Sequence, residues 1–534
     1  MQPTGQAAGM AYEASLDDSS VRTSSRAGWG LVALDSAVVL GICIILATVF
    51  ALHARWMLQN HDVDFSLVIA RRILAGGRYM RDFVEANPPL IFFLDAPPAL
   101  LAAPLGIDAY SAFSLSVCVL IAVSVALSWP IVAWCFQENP VGGRLFLLAY
   151  VAILALEPGY DFGQREHLSV ILFCPGLFWF AARDIGRPSP ITPVSVVIIL
   201  LAAVAVLIKP FDLSIPAGML ALSAARHRSW RVLWDFPVAV FAAAAVLYAV
   251  VTVVAFPGFL PEVAVLRHVY FGWNRAWLTV LDSSRDTVTA LSLAIVLTEL
   301  APIPPRHRIF LRYGCVASVL CLLMAFMQHK GWPYHFLQSR EIALIVLAFV
   351  AASLLPMLAT QRVRTPVLLA VVAVATVCLA LRPLQEGLQI TRSRFLARPL
   401  IHTLRQMAAG KRVLLLTAGY QMGFPALADV KVGAREPGQS LLPGTVKLEL
   451  SARTPAQRAT AEALRQLATS QLIEDLDRYQ PEIVAVDKNH IKQGLPDDFD
   501  MLAFYDRDEA FRRVWADYRP TAKIEGWDLY QRVK

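Results

Sequence analysis

Apolar runs about as long as a bilayer is thick recur through the first two-thirds of this chain, and they constrain its fold more than any other feature. A helix of ~20 apolar residues spans a hydrocarbon core of ~30 Å. Lipid cannot hydrogen-bond the backbone, so only helices and closed barrels cross it. Candidate spans fall at about 31–53, 108–134, 144–157, 167–183, 191–208, 213–224, 233–256, 287–303, 310–327, 341–358 and 366–382, eleven in all. The stretch from Pro89 to Leu105 is also apolar but is broken by Pro97, Pro98 and Pro104, and reads as re-entrant or interfacial. The composition agrees: 57% of the 534 residues are hydrophobic and 17% charged, against about 25% charged in a soluble protein. A disordered chain, a coiled coil and an ordinary cytosolic enzyme are excluded. The net charge of +7 is dispersed with no run of five like charges, so nucleic acid is not an expected partner.

The expected fold class is mostly α: a polytopic membrane helix bundle with about 11 spanning helices and a C-terminal soluble α/β domain. Residues 1–30 read as a disordered cytoplasmic tail, 31–383 as the transmembrane domain with a first outer loop over 54–107, and 384–534 as an extracytoplasmic domain. No cleavable leader is read, and the run starting near Leu31 is expected to remain as a span. Short loops rich in arginine (Arg183 and Arg187; Arg226, Arg228 and Arg231; Arg306, Arg308 and Arg312; Arg362 and Arg364) are expected on the cytoplasmic side. Beyond residue 383, Lys411–Thr417 and Glu482–Asp487 read as strands. Thr454-Pro455 opens a helix running to about Tyr479, and Ile524–Val533 reads as a closing strand. The seven cysteines form no CxxC pair and are expected to be buried hydrophobes.

Ionisable residues beside membrane spans are costly and mark function. Four clusters stand on one expected side. The first is His61-Asp62-Val63-Asp64, with Glu85 further along its loop; a helix cap explains either aspartate equally well. The second holds Asp161, Arg165, Glu166 and His167, where Asp161 with Gln164 also fits a capping box. The third holds His268 and Arg275 among aromatic residues, and the fourth is Lys330-Gly331-Trp332-Pro333-Tyr334-His335. Cations beside aromatic rings suit a phosphate.

The first outer loop, with Asp62, Ala70-Arg71-Arg72-Ile73-Leu74, Gly77, Tyr79, Glu85 and Asn87-Pro88-Pro89-Leu90, resembles the GT-C membrane glycosyltransferases, nearest the protein mannosyltransferase and aminoarabinose-transferase branch. The string Lys330 to His335 is similar to bacterial members. The resemblance covers roughly residues 30 to 385. It implies an outward-facing active site and a sugar donor on a polyprenyl phosphate. It also implies a catalytic carboxylate in the first outer loop, at Asp62 with Asp64 in reserve, and a second acidic position at Asp161 or Glu166. A base is needed for the acceptor hydroxyl and cations for the departing phosphate. Arg165, His268, Arg275, Lys330, Tyr334 and His335 are the donor candidates; Glu85, Glu166 and His167 are the acceptor-side or supporting ones. Asp62, Asp64, Asp161 and Glu166 have the oxygen donors a divalent cation takes, and the sequence leaves metal use open. Expected partners are the lipid-linked donor, membrane lipid, and a cell-envelope glycan, lipid or protein acceptor, in a bacterial plasma membrane. The competing readings are a transporter or flippase of lipid-linked precursors and a polysaccharide polymerase or ligase. A transporter should show internal repeats, and none is visible.

Overall fold

The computed structural model describes residues 18–360, 364–419 and 427–533. Each of the eleven expected segments coincides with a helix: Asp18–Ala51, Ala109–Cys135, Pro140–Leu156, Arg165–Asp184, Pro193–Ile208, Ser214–His227, Phe236–Ala255, Trp277–Leu300, Pro305–Gln328, Leu337–Leu354 and Arg364–Gln389. Five stretches are long and apolar enough to cross a membrane on those grounds alone: Asp35–Trp56, Ala109–Cys135, Phe236–Ala255, Pro305–Gln328 and Pro333–Met357. Helices such as Trp277–Leu300 carry several charges. A count of eleven crossings therefore rests on position in the chain, not on each helix's own length and apolarity. The first 17 residues of the expected tail lie outside the described residues, and the first helix starts at Asp18, inside that stretch. Arg362 also lies outside them.

The bundle is organised around Leu337–Leu354, which is buried along nearly its whole length. It packs against Pro140–Leu156, Trp277–Leu300 and Pro305–Gln328. Several of its polar residues are matched from neighbouring elements, as burial favours, while the buried Glu341 makes no hydrogen bond among the described residues and has His167 at 3.7 Å. Arg340 binds Glu157, and Gln338 donates to Asp212 at 2.7 Å. Nearby, Lys209 binds Glu166 at 2.7 Å. Removing one partner of such a pair leaves a buried charge unpaired, at about 3–5 kcal/mol. Five cysteines are buried, but Cys43 and Cys378, expected to be buried too, are exposed on the surface of their helices.

Helix Arg165–Asp184 sets the direction of the molecule. Arg165 opens it and Arg183 nearly closes it, ~30 Å away at 1.5 Å per residue. The Arg183 end gathers Arg226 on Asp184 and Asp235 on Arg183. The Arg165 end gathers the first outer loop and the C-terminal region.

That region holds five strands: β1 (Arg412–Leu416), β2 (Lys431–Val432), β3 (Ile483–Asp487), β4 (Tyr518–Ile524) and β5 (Trp527–Arg532). Their order is β2-β1-β3-β5-β4. The first three are parallel and the last two pair antiparallel. Helix Pro455–Tyr479 starts on a capping box of Thr454 and Gln457. The expected closing strand is really a hairpin. Gly526 has φ +73° and turns the chain at the point where one strand was expected to start; such a φ suits glycine, which has no Cβ to clash.

Three arginines fasten this region to the first outer loop. Arg435 donates to Met80 O at 2.8 Å while paired with Asp475 at 2.8 Å. Arg72 donates to Ala434 O and Arg435 O, both at 2.8 Å. Arg478 binds Asp82. A second contact is glycine on glycine: a Cβ on Gly272 would lie 2.4 Å from Gly444 Cα, and one on Gly444 would lie 2.0 Å from Val269 O, so only glycine lets helix Leu441–Ser451 come this close.

Candidate active site

A cavity of about 740 Å³ opens where the first outer loop, the start of helix Arg165–Asp184, the segment Tyr270–Arg275 and the turn Trp332–Tyr334 meet. Asp62 lies on its wall with its side chain 26% exposed. It is not a helix cap. Asn60 caps helix His61–Leu74, its Oδ1 accepting from Asp62 N at 2.9 Å. The carboxylate of Asp62 is left to accept from Gln164 Nε2 at 2.9 Å and to face His61 at 3.4 Å. Burial raises its proton affinity, but His61, Arg165 and hydrogen bonds from Gln164 and Tyr334 outweigh burial and hold it below the usual carboxylate range.

Asp161 also lines the cavity and accepts from Asn60 Nδ2 at 2.9 Å. The expected capping box with Gln164 does not form: Gln164 makes no cap hydrogen bond, and its amide reaches Asn60 and Asp62. Burial pushes the Asp161 carboxyl up to about 8, against the pull of Arg340. Glu85, a third carboxyl on the wall, is raised by burial to about 6. Asp95, which accepts from the Ser66 hydroxyl, lines the cavity as well and is raised by burial to about 7. These four wall carboxyls thus differ in charge at neutral pH, a division that separates proton acceptors from donors.

Arg165 stands among them and donates to Asn87. Gly163 lets the chain turn into this helix with φ +79°, and a Cβ there would lie 2.3 Å from the Phe113 ring. Arg275 and Tyr334 complete the predicted residues found on the wall.

Other expected residues are not on it. Asp64, two residues on from Asp62, is buried and accepts from the Tyr110 hydroxyl at 2.7 Å. Glu166 is turned to Lys209. His167 accepts from Gly163 N at 2.9 Å and donates to Leu154 O at 2.7 Å, which makes it a support for the loop carrying Gln164. His268 is exposed beside Arg267. His335 is buried and packed edge-on to Trp332 and Tyr334. Lys330 is buried with Nζ 2.5 Å from Asn274 Oδ1 and 3.8 Å from the Tyr270 ring centre. Burial lowers its proton affinity to about 8. It ties down the Tyr270–Asn274 segment instead of facing the cavity.

The four expected oxygen donors therefore do not converge, and among the described residues no three His, Cys, Asp or Glu side chains are grouped to hold a metal ion. Sequence reasoning missed Asn60 and Glu262, and it read Gln164 only as part of a cap. Glu262 is buried, and its two oxygens accept from Met80 N and Glu85 N, so it holds the turn carrying Glu85. Burial pushes it up to about 9. A lone glutamate in an interfacial helix carries no sequence signal of this role.

Bundle, cavity and capping sheet define a multi-pass membrane protein of the GT-C architecture. The structure is similar to ArnT from Cupriavidus metallidurans bound to undecaprenyl phosphate, with TM-score 0.52 and 13% identity over 93% of this chain and 98% of that one. The apo state of the same protein matches with TM-score 0.52 and 14% identity over the same shares. An arabinofuranosyltransferase, AftD from Mycobacteria, matches with TM-score 0.41 and 14% identity over 93% of this chain and 40% of that one. No protein-family profile matches the sequence, and no curated protein matches it significantly. The likeness is one of fold.

Proposed function

We propose that this protein is a membrane glycosyltransferase that moves a sugar from a polyprenyl-phosphate donor to a cell-envelope acceptor on the outer side of the membrane. The observation carrying this reading is the cavity in which ionised Asp62 and the Arg165 guanidinium share one wall with apolar Ile91, Phe92, Leu266 and Val269. Charge for a leaving phosphate, a carboxylate for a proton and a surface for a lipid chain stand together. That ArnT, of the same fold, binds undecaprenyl phosphate supports the donor class.

In this reading the acceptor hydroxyl gives its proton to Asp62 as its oxygen bonds to the anomeric carbon. The bond from that carbon to the phosphate oxygen breaks, and the lipid phosphate leaves with the electron pair. Arg165, with Arg275, meets the charge that grows on the phosphate, where a preoriented cation lowers the barrier most. One displacement inverts the anomeric centre. The direct test is to incubate purified protein with labelled polyprenyl-phosphate sugar and acceptor-containing membranes. Release of free lipid phosphate matched by label in the acceptor supports the reading; unchanged donor, or donor moved intact across the bilayer, defeats it.

The carboxyl environments set an expected pH profile. Glu85, with a pKa of about 6, gains its charge as pH rises through 6; Asp161, at about 8, keeps its proton until pH passes 8. Asp62 is ionised throughout; a charged Glu85 beside Arg165 and a neutral Asp161 beside Asp62 set the field around the base, so the rate should be bell-shaped with limbs near these two values. Glu85→Gln should remove the acidic limb and Asp161→Asn the alkaline one. A profile unchanged in both variants would detach these groups from the chemistry.

The same reading places residues 31–383 in the membrane-domain role, 384–534 outside, and the N-terminus in the cytoplasm, following the arginine-dense loops. A reporter active only outside the membrane should be active when fused after Lys534. A silent C-terminal fusion beside an active N-terminal one would reverse the orientation.

A further inference from the structure

The rim of the cavity differs from its floor. Its exposed charges come from helices Trp277–Leu300 and Arg364–Gln389 and from Arg275, and they cancel: Arg275, Arg285 and Arg382 against Asp282, Asp286 and Glu386. The carboxylates are already paired, Asp282 with Arg285 at 3.0 Å, and Asp286 and Glu386 with Arg382 at 2.9 and 3.2 Å. The floor, by contrast, concentrates Asp62, Asp161, Glu85 and Arg165.

Between rim and floor lies a run of aromatic rings. Trp273 and Trp332 are edge to face with centres 6.5 Å apart. Trp332 and Tyr334 stack at 5.7 Å, and the Tyr334 hydroxyl faces the Asp62 carboxylate. All three rings line the cavity, and the facing C-terminal region adds the uncharged donors and acceptors Ser440 and Gln493.

We infer that this rim and its aromatic run form the acceptor subsite, and that the acceptor is a neutral glycan. The inference rests on the transferase reading for the word acceptor, but its physical basis is independent. Flat rings with polar tips suit a ligand that has C–H faces and hydroxyl edges. Paired carboxylates, guanidinium groups, an amide and a hydroxyl can each bond a hydroxyl without demanding a charge from it. An acidic glycan would bring its charges against three carboxylates with no surplus of cations, and like charges across an interface are costly. A lipid acceptor would need apolar walls. Those the cavity has come mainly from helices His61–Leu74, Leu90–Leu101 and Phe259–Val269, while the rim side adds only Pro383 and Ile390. A sugar seated on Trp332 would have Tyr334 and Asp62 as its next neighbours, so one glycan chain would run from solvent to the carboxylate.

The test uses detergent-purified full-length protein and its tryptophan fluorescence. It is titrated with neutral hexasaccharides of mannose, glucose and galactose, and with a galacturonate hexasaccharide. At least one neutral hexamer should quench the signal, with a half-saturation point unchanged between about 50 and about 500 mM salt, since no charges are being screened. Trp273→Ala and Trp332→Ala should each weaken that binding by up to about tenfold, while Asp286→Asn with Glu386→Gln should improve binding of the acidic hexamer. Tighter binding of the acidic hexamer by the unaltered protein overturns the inference. So does failure of every neutral hexamer to bind, or binding indifferent to both tryptophan changes. Donor cleavage is followed in the same preparations. Neutral-glycan binding without donor cleavage leaves the glycan site standing and defeats the transferase reading; donor cleavage without glycan binding overturns this inference alone.

Discussion

Asp62→Asn is expected to reduce turnover by about 100- to 10,000-fold, the usual loss when a general base is removed, while leaving the protein folded and able to bind its lipid donor. The structure makes this a clean substitution. Asn60, not Asp62, caps the helix, so no cap is lost. The asparagine oxygen can still accept from Gln164. What disappears is the charge that His61 and Arg165 maintain at neutral pH. Asp64→Asn is the control: its carboxyl meets Tyr110 in the core and does not face the cavity. That change should act on stability, by the ~1–3 kcal/mol of a disturbed buried hydrogen bond, and leave turnover within a few-fold. Initial rates, with thermal midpoints of both proteins, decide the matter. Normal turnover by Asp62→Asn would pass the role to Glu85, a carboxyl deep in the same cavity that is mostly ionised at pH 7.

Arg165→Met should be nearly as damaging. A group that meets charge developing in the transition state is worth about 100- to 1,000-fold in rate, and a charge-assisted contact to the bound phosphate about tenfold or more in donor affinity. Arg165→Lys keeps the charge but loses the fork that reaches Asn87, so it should recover donor affinity better than rate. Lys330→Ala is the informative contrast. Its ammonium is spent on Asn274, the Tyr270 carbonyl and the Tyr270 ring. Losing it should loosen the segment carrying Trp273 and Arg275 and lower the thermal midpoint, with donor affinity changed less than in Arg165→Met. Donor affinity is read with polyprenyl phosphate on purified protein. If Lys330→Ala loses more affinity than Arg165→Met, the phosphate sits nearer the Tyr270 segment than proposed here.

The helices were the most legible part of the chain because the signal is local. An apolar run long enough for a bilayer must satisfy its own backbone, so all eleven expected segments are helical in the structure. The strand–helix–strand order beyond residue 410 was legible for the same reason: Thr454 and Pro455 open a helix, and Glu482–Asp487 reads as a buried strand wherever it packs. The pairing order β2-β1-β3-β5-β4 was not, since the two-residue β2 and the hairpin around Gly526 leave almost no local trace.

For the site, residue type and neighbourhood in the sequence narrowed the search to four clusters, and members of each reach one end of the bundle. Which members face the cavity depends on where each side chain points once the helices are packed. Asp62 and Asp64 stand two residues apart on one helix, about 200° around its axis at 3.6 residues per turn. One therefore faces the cavity while the other meets Tyr110 in the core. Arg165 and Glu166 part in the same way, the arginine to the cavity and the glutamate to Lys209 at the end of helix Pro193–Ile208. A linear sequence records the order of these residues. Only packing supplies the direction of each side chain and its partner, and with them the charge it carries.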